Sequence, residues 1–235
     1  MSPWHVLEQL PGLTALPTTW RTMLADEFLA FKTLCLAPGP DVGGLIPCPT
    51  YCGCFHRVIM RHDGTGAIGI CRCQPPICPD IPMTLEEATP LEVDRPKLGN
   101  AIADALALKP FQANVGPFNT LQIGTWSRAD IPVFFTIQTD RRDLQFTAAH
   151  LAAVLHDKFI LLAPTSNLVT AETRKILADT AAAIFDLPSV LSLTRNGTLH
   201  PKKPPAEIFS QFTDTGALDP RALSARMDED SRGRD

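Results

Sequence analysis

Seven cysteines, at positions 35, 48, 52, 54, 71, 73 and 78, are the residues of this chain whose type and spacing could do chemistry. Cys48, Cys52, Cys54, Cys71, Cys73 and Cys78 fall within 31 residues of one another, with His56 among them. The stretch LIPCPTYCGCFHRVIMRHDGTGAIGICRCQPPICPDIPMTL reads C-x3-C-x-C-x-H, then fourteen residues, then C-x-C-x4-C. Thiolates and imidazole are soft to borderline ligands, and a tetrahedral set of them suits zinc. Four donors close such a site, so a structural ion is expected rather than a catalytic one, which keeps a position open for water. Cys48, Cys52, Cys73 and Cys78 are the first choice of ligands. Cys54 and Cys71 are the substitutes, and His56 is a further donor. A second ion is an open alternative, and so is a cluster of buried, metal-free thiols, because free cysteine packs as a small hydrophobe. Cys35 lies outside the cluster and reads as a core residue.

The two cysteine groups need an element that brings them together. FHRVIMRH and AIGIC are β-branched or alternating runs, and Asp63-Gly64-Thr65-Gly66 between them is a turn sequence. Glycine tolerates the positive φ of a tight hairpin turn. A hairpin therefore sets the two groups side by side at its open end. Cys52, Cys54 and His56 alternate, as do Cys71 and Cys73, so each set can share one side of the hairpin.

This arrangement resembles a zinc ribbon, in which two thiolate-bearing turns pinch one ion. CPTYCG resembles the C-P-x-x-C-G knuckle of that module, with one extra residue between the cysteines. The resemblance covers about residues 44–82. It implies a structural zinc and, as zinc ribbons often do, contact with a protein or a nucleic acid.

Outside this stretch the periodicities point to a mixed α/β fold: a small mixed sheet with helices packed on it, plus the zinc-ribbon hairpin. Residues 1–43 form an N-terminal helical segment, with an apolar face from Trp20 to Lys32 and a connector from Leu36 to Pro47. Pro82 to Val93 reads as loosely ordered. Asp94-Arg95-Pro96 is a helix-start signal, followed by Leu98, Ile102, Ala105 and Leu106 on one side. TLQIGTW and PVFFTIQ are strand-like and Asp143 reads as a helix cap. FILLA reads as a short buried strand. Thr170 starts a helix with a stripe of Ile176, Leu177, Thr180 and Ile184. The α/β domain thus spans 83–212, with a hairpin around Asn196-Gly197 that could be the wing of a winged helix at 191–205. Residues 213–235 lose the apolar pattern and read as a flexible, solvated tail.

Composition narrows the function. The chain has 235 residues, a net charge of −4 and 45% apolar residues. That is a globular composition, and the acidity argues against wrapping nucleic acid over the whole surface. Local contact remains open through Arg57, Arg61 and Arg72 on the hairpin, with Phe55 nearby, and through Lys202 and Lys203. The start, MSPWHVLEQLPGL, lacks the basic, apolar and small-residue regions of a signal peptide. No apolar run approaches the roughly 20 residues of a membrane span. A cytoplasmic location without membrane contact is the expectation. The phosphate-binding and nucleophile-elbow glycine motifs are absent. The expected role is a zinc-stabilised binding or regulatory component with a protein partner, its anchors sought among Trp4, Trp20 and Trp126. A DNA- or RNA-binding regulator is the first alternative. The second is a metal- or phosphate-dependent hydrolase at the strand ends near Asp140 and Ser166.

Overall fold

The computed structural model describes residues 3–39, 43–48, 53–73, 75, 77–113, 117, 119–127 and 129–212. Cys52 and the 213–235 segment expected to form a tail therefore lie outside the described residues. The chain divides into a unit of Met1–Lys202 and a second one from Lys203.

Helix α1 (Pro3–Gln9) leads to strand β1 (Thr14–Ala15) and helix α2 (Pro17–Leu24). The apolar face expected to run unbroken from Trp20 to Lys32 is split. A 3-10 turn at Ala25–Glu27, with Ala25 at φ +47°, separates α2 from α3 (Phe28–Cys35). The break rotates the stripe, and Leu29 ends up 71% exposed. Trp4 and Trp20 are core residues beside Phe31, and Trp20 Nε1 donates to Leu91 O at 2.9 Å. They are not surface anchors.

Strand β2 (Leu36–Pro38) follows α3 directly, and β3 (Gly44–Pro47) lies where the sequence suggested a connector. Next come β4 (Phe55–Met60) and β5 (Ala67–Cys71), the expected hairpin, and then β6 (Ile81–Met83). The antiparallel order β3-β4-β5-β6 makes four strands rather than two. At the tip, Asp63 accepts from Thr65 N at 3.1 Å and Thr65 Oγ1 at 2.9 Å, while Gly64 supplies φ +67°. One face of this sheet buries Ile46, Val58, Ala67 and Met83 against Leu16 and Ala88.

Residues 84–93 are ordered, not loose. Thr84 and Glu87 form a reciprocal capping box at the start of α4 (Leu85–Ala88), which satisfies amide groups a four-residue helix cannot pair itself. Strand β7 (Leu91–Val93) then joins β1 and β2 in the antiparallel order β1-β7-β2. Asp94 caps α5 (Arg95–Ala105) through Lys97 N at 2.9 Å, with Pro96 in the first turn, as the helix-start signal predicts.

The five-stranded sheet has the order β12-β11-β10-β9-β8. Its strands are β8 (Lys109–Ala113), β9 (Thr120–Trp126), β10 (Ile131–Thr136), β11 (Ile160–Ala163) and β12 (Ala183–Asp186). The β9–β10 hairpin is antiparallel, and β10, β11 and β12 are parallel. Helix α6 (Arg141–Leu155) connects β10 to β11, and α7 (Ala171–Asp179) connects β11 to β12. Leu144, Ala148, Leu151 and Leu177 pack with Phe134, Phe159 and Leu161 in one core. Two details differ from the sequence reading. Asp140, not Asp143, caps α6, because its carboxylate accepts Arg142 N at 2.7 Å. Ile184 belongs to β12, because α7 ends at Asp179.

After α8 (Leu187–Val190) the expected hairpin forms from β13 (Leu191–Leu193) and β14 (Leu199–Pro201). Its tip packs on α3: a Cβ at Gly197 would lie 2.7 Å from Ala30 O. A wing projects from its domain, and this turn does not. The second unit holds α9 (Pro205–Ile208). Among the described residues no helix is long and apolar enough to cross a membrane.

Candidate metal centre

The cysteines gather where β3, β4 and β5 end together. Antiparallel pairing sets Ile46 opposite His56 and His56 opposite Cys71. Cys48 follows β3 and its amide donates to Cys54 O at 2.9 Å, so the chain on either side of Cys52 is closed by a backbone bond. Strand alternation then turns His56 and Cys71 toward the buried face, away from Phe55, Arg57 and Ile70.

Two donor groups result. The ligand atoms of Cys48, Cys54, His56 and Cys78 lie within 4.8 Å of one another, and so do those of Cys54, Cys71 and Cys73. Cys48 Sγ and Cys78 Sγ are 3.4 Å apart, Cys54 and Cys78 3.8 Å, and Cys54 and Cys71 3.7 Å. A zinc–sulfur bond of about 2.3 Å implies a tetrahedral S···S edge of roughly 3.8 Å. The Cys54–Cys78 and Cys54–Cys71 separations match that edge, and Cys48–Cys78 is shorter. A Cys/His cluster compatible with metal binding is present.

His56 is the most telling member. It is fully buried, Nδ1 lies 3.2 Å from Gly69 O, and the other partner of the ring is the Cys48 thiol. A carbonyl on Nδ1 fixes the N–H there and turns the Nε2 lone pair inward, as in metal-bound histidines. Gly69 makes room for this: a Cβ there would meet Ile46 at 3.1 Å and the His56 Cβ at 3.4 Å.

Without an ion, the electrostatics of the cluster favour the ligating thiolate at Cys71 and the protonated ring at His56, whose proton a metal would displace. The Cys71 thiol is lowered to about 6, first because the amides of Cys73 and Cys78 aim at its sulfur. The first of these is 3.4 Å away. Hydrogen bonds to a thiolate stabilise it, and the thiolate is the metal ligand. Burial works to lower the His56 pKa, but Cys48, the Gly69 carbonyl and Cys71 outweigh it, so the net shift is upward. Cys35 is separate: it is buried at the end of α3, its Sγ lies 3.6 Å from Phe31 O, and burial pushes its thiol far up.

Of the first-choice ligands, Cys48 and Cys78 share a group, Cys73 sits with Cys54 and Cys71, and Cys52 is outside the described residues. The sequence reading held Cys54 and His56 in reserve, and both stand in the four-donor group. Their signal was present in the i, i+2 spacing of Cys54 and His56. What the spacing could not supply was the pairing of β3, which carries Cys48 to them. Gly69 was not picked out as the partner of His56.

The basic candidates do not share one element. Arg57 is exposed on β4, Arg61 opens the hairpin turn, and Arg72 follows β5 with its amide 3.3 Å from Phe55 O. Lys202 follows β14 in another sheet, and Lys203, in the second unit, pairs with Glu207 at 2.5 Å. At the strand ends, Asp140 is engaged in its helix cap. Thr165 N and Oγ1 donate to the two oxygens of buried Glu8 at 2.9 and 2.6 Å, and Ser166 is exposed. Comparison with protein-family models, with curated proteins and with solved structures finds no match to this chain.

Proposed function

We propose that this chain is a zinc-stabilised binding component of a larger assembly, and that a protein partner docks on the outer face of the β3-β4-β5-β6 sheet. The observation that carries this reading is the chemistry of that face. Leu45, Phe55, Ile59 and Ile70 are 48%, 53%, 41% and 38% exposed. In register they surround Arg57, which pairs Leu45 on one side and Ile70 on the other. Four large apolar side chains on one small sheet face are costly to leave in water, and such patches mark interaction sites. The patch runs roughly 13 Å along β4 and about 10 Å across three strands. That is the size of a hot-spot centre around an aromatic and an arginine, not of a whole obligate interface.

Zinc supports this reading from beneath. The sheet buries few residues of its own, and an ion tying β3, β4 and the segment after β5 would hold the outer face in shape before any partner arrives. Thiolates with one imidazole favour zinc over magnesium or calcium. The ring of Phe55 beside Arg57 and Arg72 supports a second reading, stacking and phosphate contact with single-stranded nucleic acid.

The test is purification of the native complex from its own cells, with and without nuclease, comparing the wild type with Phe55→Ser/Ile70→Ser. We expect a protein that survives nuclease with the wild type and is lost with the variant, while zinc content stays equal. Nuclease-sensitive, salt-sensitive retention that falls further in Arg57→Glu would favour the nucleic-acid reading. Equal recovery with both proteins would remove the docking face.

A further inference from the structure

The ion of the proposed function accounts for Cys48, Cys54, His56 and Cys78 and leaves Cys71 and Cys73 over. Both lie within 4.8 Å of Cys54, which belongs to both donor groups. The Cys54 sulfur is 3.8 Å from Cys78 on the one side and 3.7 Å from Cys71 on the other. Each distance matches the tetrahedral edge of roughly 3.8 Å about zinc. A thiolate sulfur keeps three lone pairs after its bond to carbon, so one sulfur can serve two ions.

We infer that the open end of this sheet holds a pair of divalent ions bridged by Cys54, one in Cys48, Cys54, His56 and Cys78, the other against Cys54, Cys71 and Cys73. The first ion rests on the reading given under Proposed function; the second is new.

Charge permits two ions as readily as one. Three thiolates, a neutral imidazole and one divalent ion sum to about −1. Cys71 and Cys73 are neutral thiols until they ligate, so a second divalent ion that takes both as thiolates leaves the sum at about −1. The amide of Cys73 already donates to Cys71 Sγ; it takes one lone pair, stabilises the thiolate and leaves another pair for an ion. As each ion binds, every ligating thiol gives its proton to solvent as the metal–sulfur bond forms, and no electron moves. Three protein sulfurs leave the second ion one further coordination position, for water or another thiol.

The test uses the full chain, purified without added metal and passed through a weak chelator. Native mass spectrometry with elemental analysis should find two zinc ions per chain. Replacing both by cadmium-113 should give two NMR resonances split by mutual coupling through the shared sulfur. Cys71→Ser/Cys73→Ser should fall to one ion with a single, unsplit resonance. One ion in the wild type would overturn the bridged pair and spare the first site. No ion would overturn both. Two unsplit resonances would overturn the bridge. If the double variant does not fold, the wild-type splitting decides alone.

Discussion

His56 spends one nitrogen on Gly69 and sets the ring, buried, among the sulfurs of Cys48, Cys54 and Cys78. The zinc reading therefore puts weight on one atom. His56→Ala should weaken zinc affinity by at least about tenfold, the scale of losing even an orienting partner, measured by competition with a chromophoric chelator. His56→Cys, which restores a donor, should recover most of it. Glu8 is the other buried side chain with a measurable consequence. Burial raises its pKa above the ordinary 4.5, and its bonds to Thr165 do not fully offset that. The folded chain thus holds a proton that the unfolded chain releases at lower pH. Its contribution to stability is greatest below 4.5 and falls as pH rises through the raised value. Glu8→Gln should flatten that part of the curve, measured by denaturant unfolding at a series of pH values from 4.5 upward.

The elements were legible wherever a local signal sufficed. The Asp63 turn, the Asp94 cap, the β9–β10 hairpin and the Asn196-Gly197 hairpin all announce themselves within a few residues. The failures need distant partners. Strand β3 lies beside a glycine pair and becomes a strand only by pairing with β4. Ile184 fits helical spacing, yet it pairs with Leu161 in a parallel sheet, and no local pattern marks a four-residue strand whose residues are all half-buried. The same limit governs the metal centre. Every donor was visible by type, but their grouping depends on register between strands. Gly66 tests that register. A Cβ there would lie 2.7 Å from the Met83 carbonyl, a backbone atom that cannot swing aside. Gly66→Ala should destabilise the chain by about 1–3 kcal/mol, in the range of other overpacking changes. Hydrogen exchange should locate the loss in β5 and β6.

At the scale of the molecule, the zinc reading makes the response to metal removal local. Among the described residues, one core joins the cysteine-bearing sheet to Leu16 and Ala88, and another fills the space between α6, α7 and the parallel strands. Chelation should therefore raise hydrogen exchange across residues 44–83 first and leave β10 and β11 protected. Simultaneous loss in both would mean that they unfold as one unit. The bond between Glu8 and Thr165 joins positions 157 apart in sequence, whereas the four strands around the cysteines are complete by Met83. The two events are thus separated during synthesis. On the zinc reading, the thiols would take up an ion before most of the parallel sheet has been made, and α1 must wait for β11 before its carboxylate is sealed. The cysteine cluster is in this sense complete in the chain long before the partner that α1 needs.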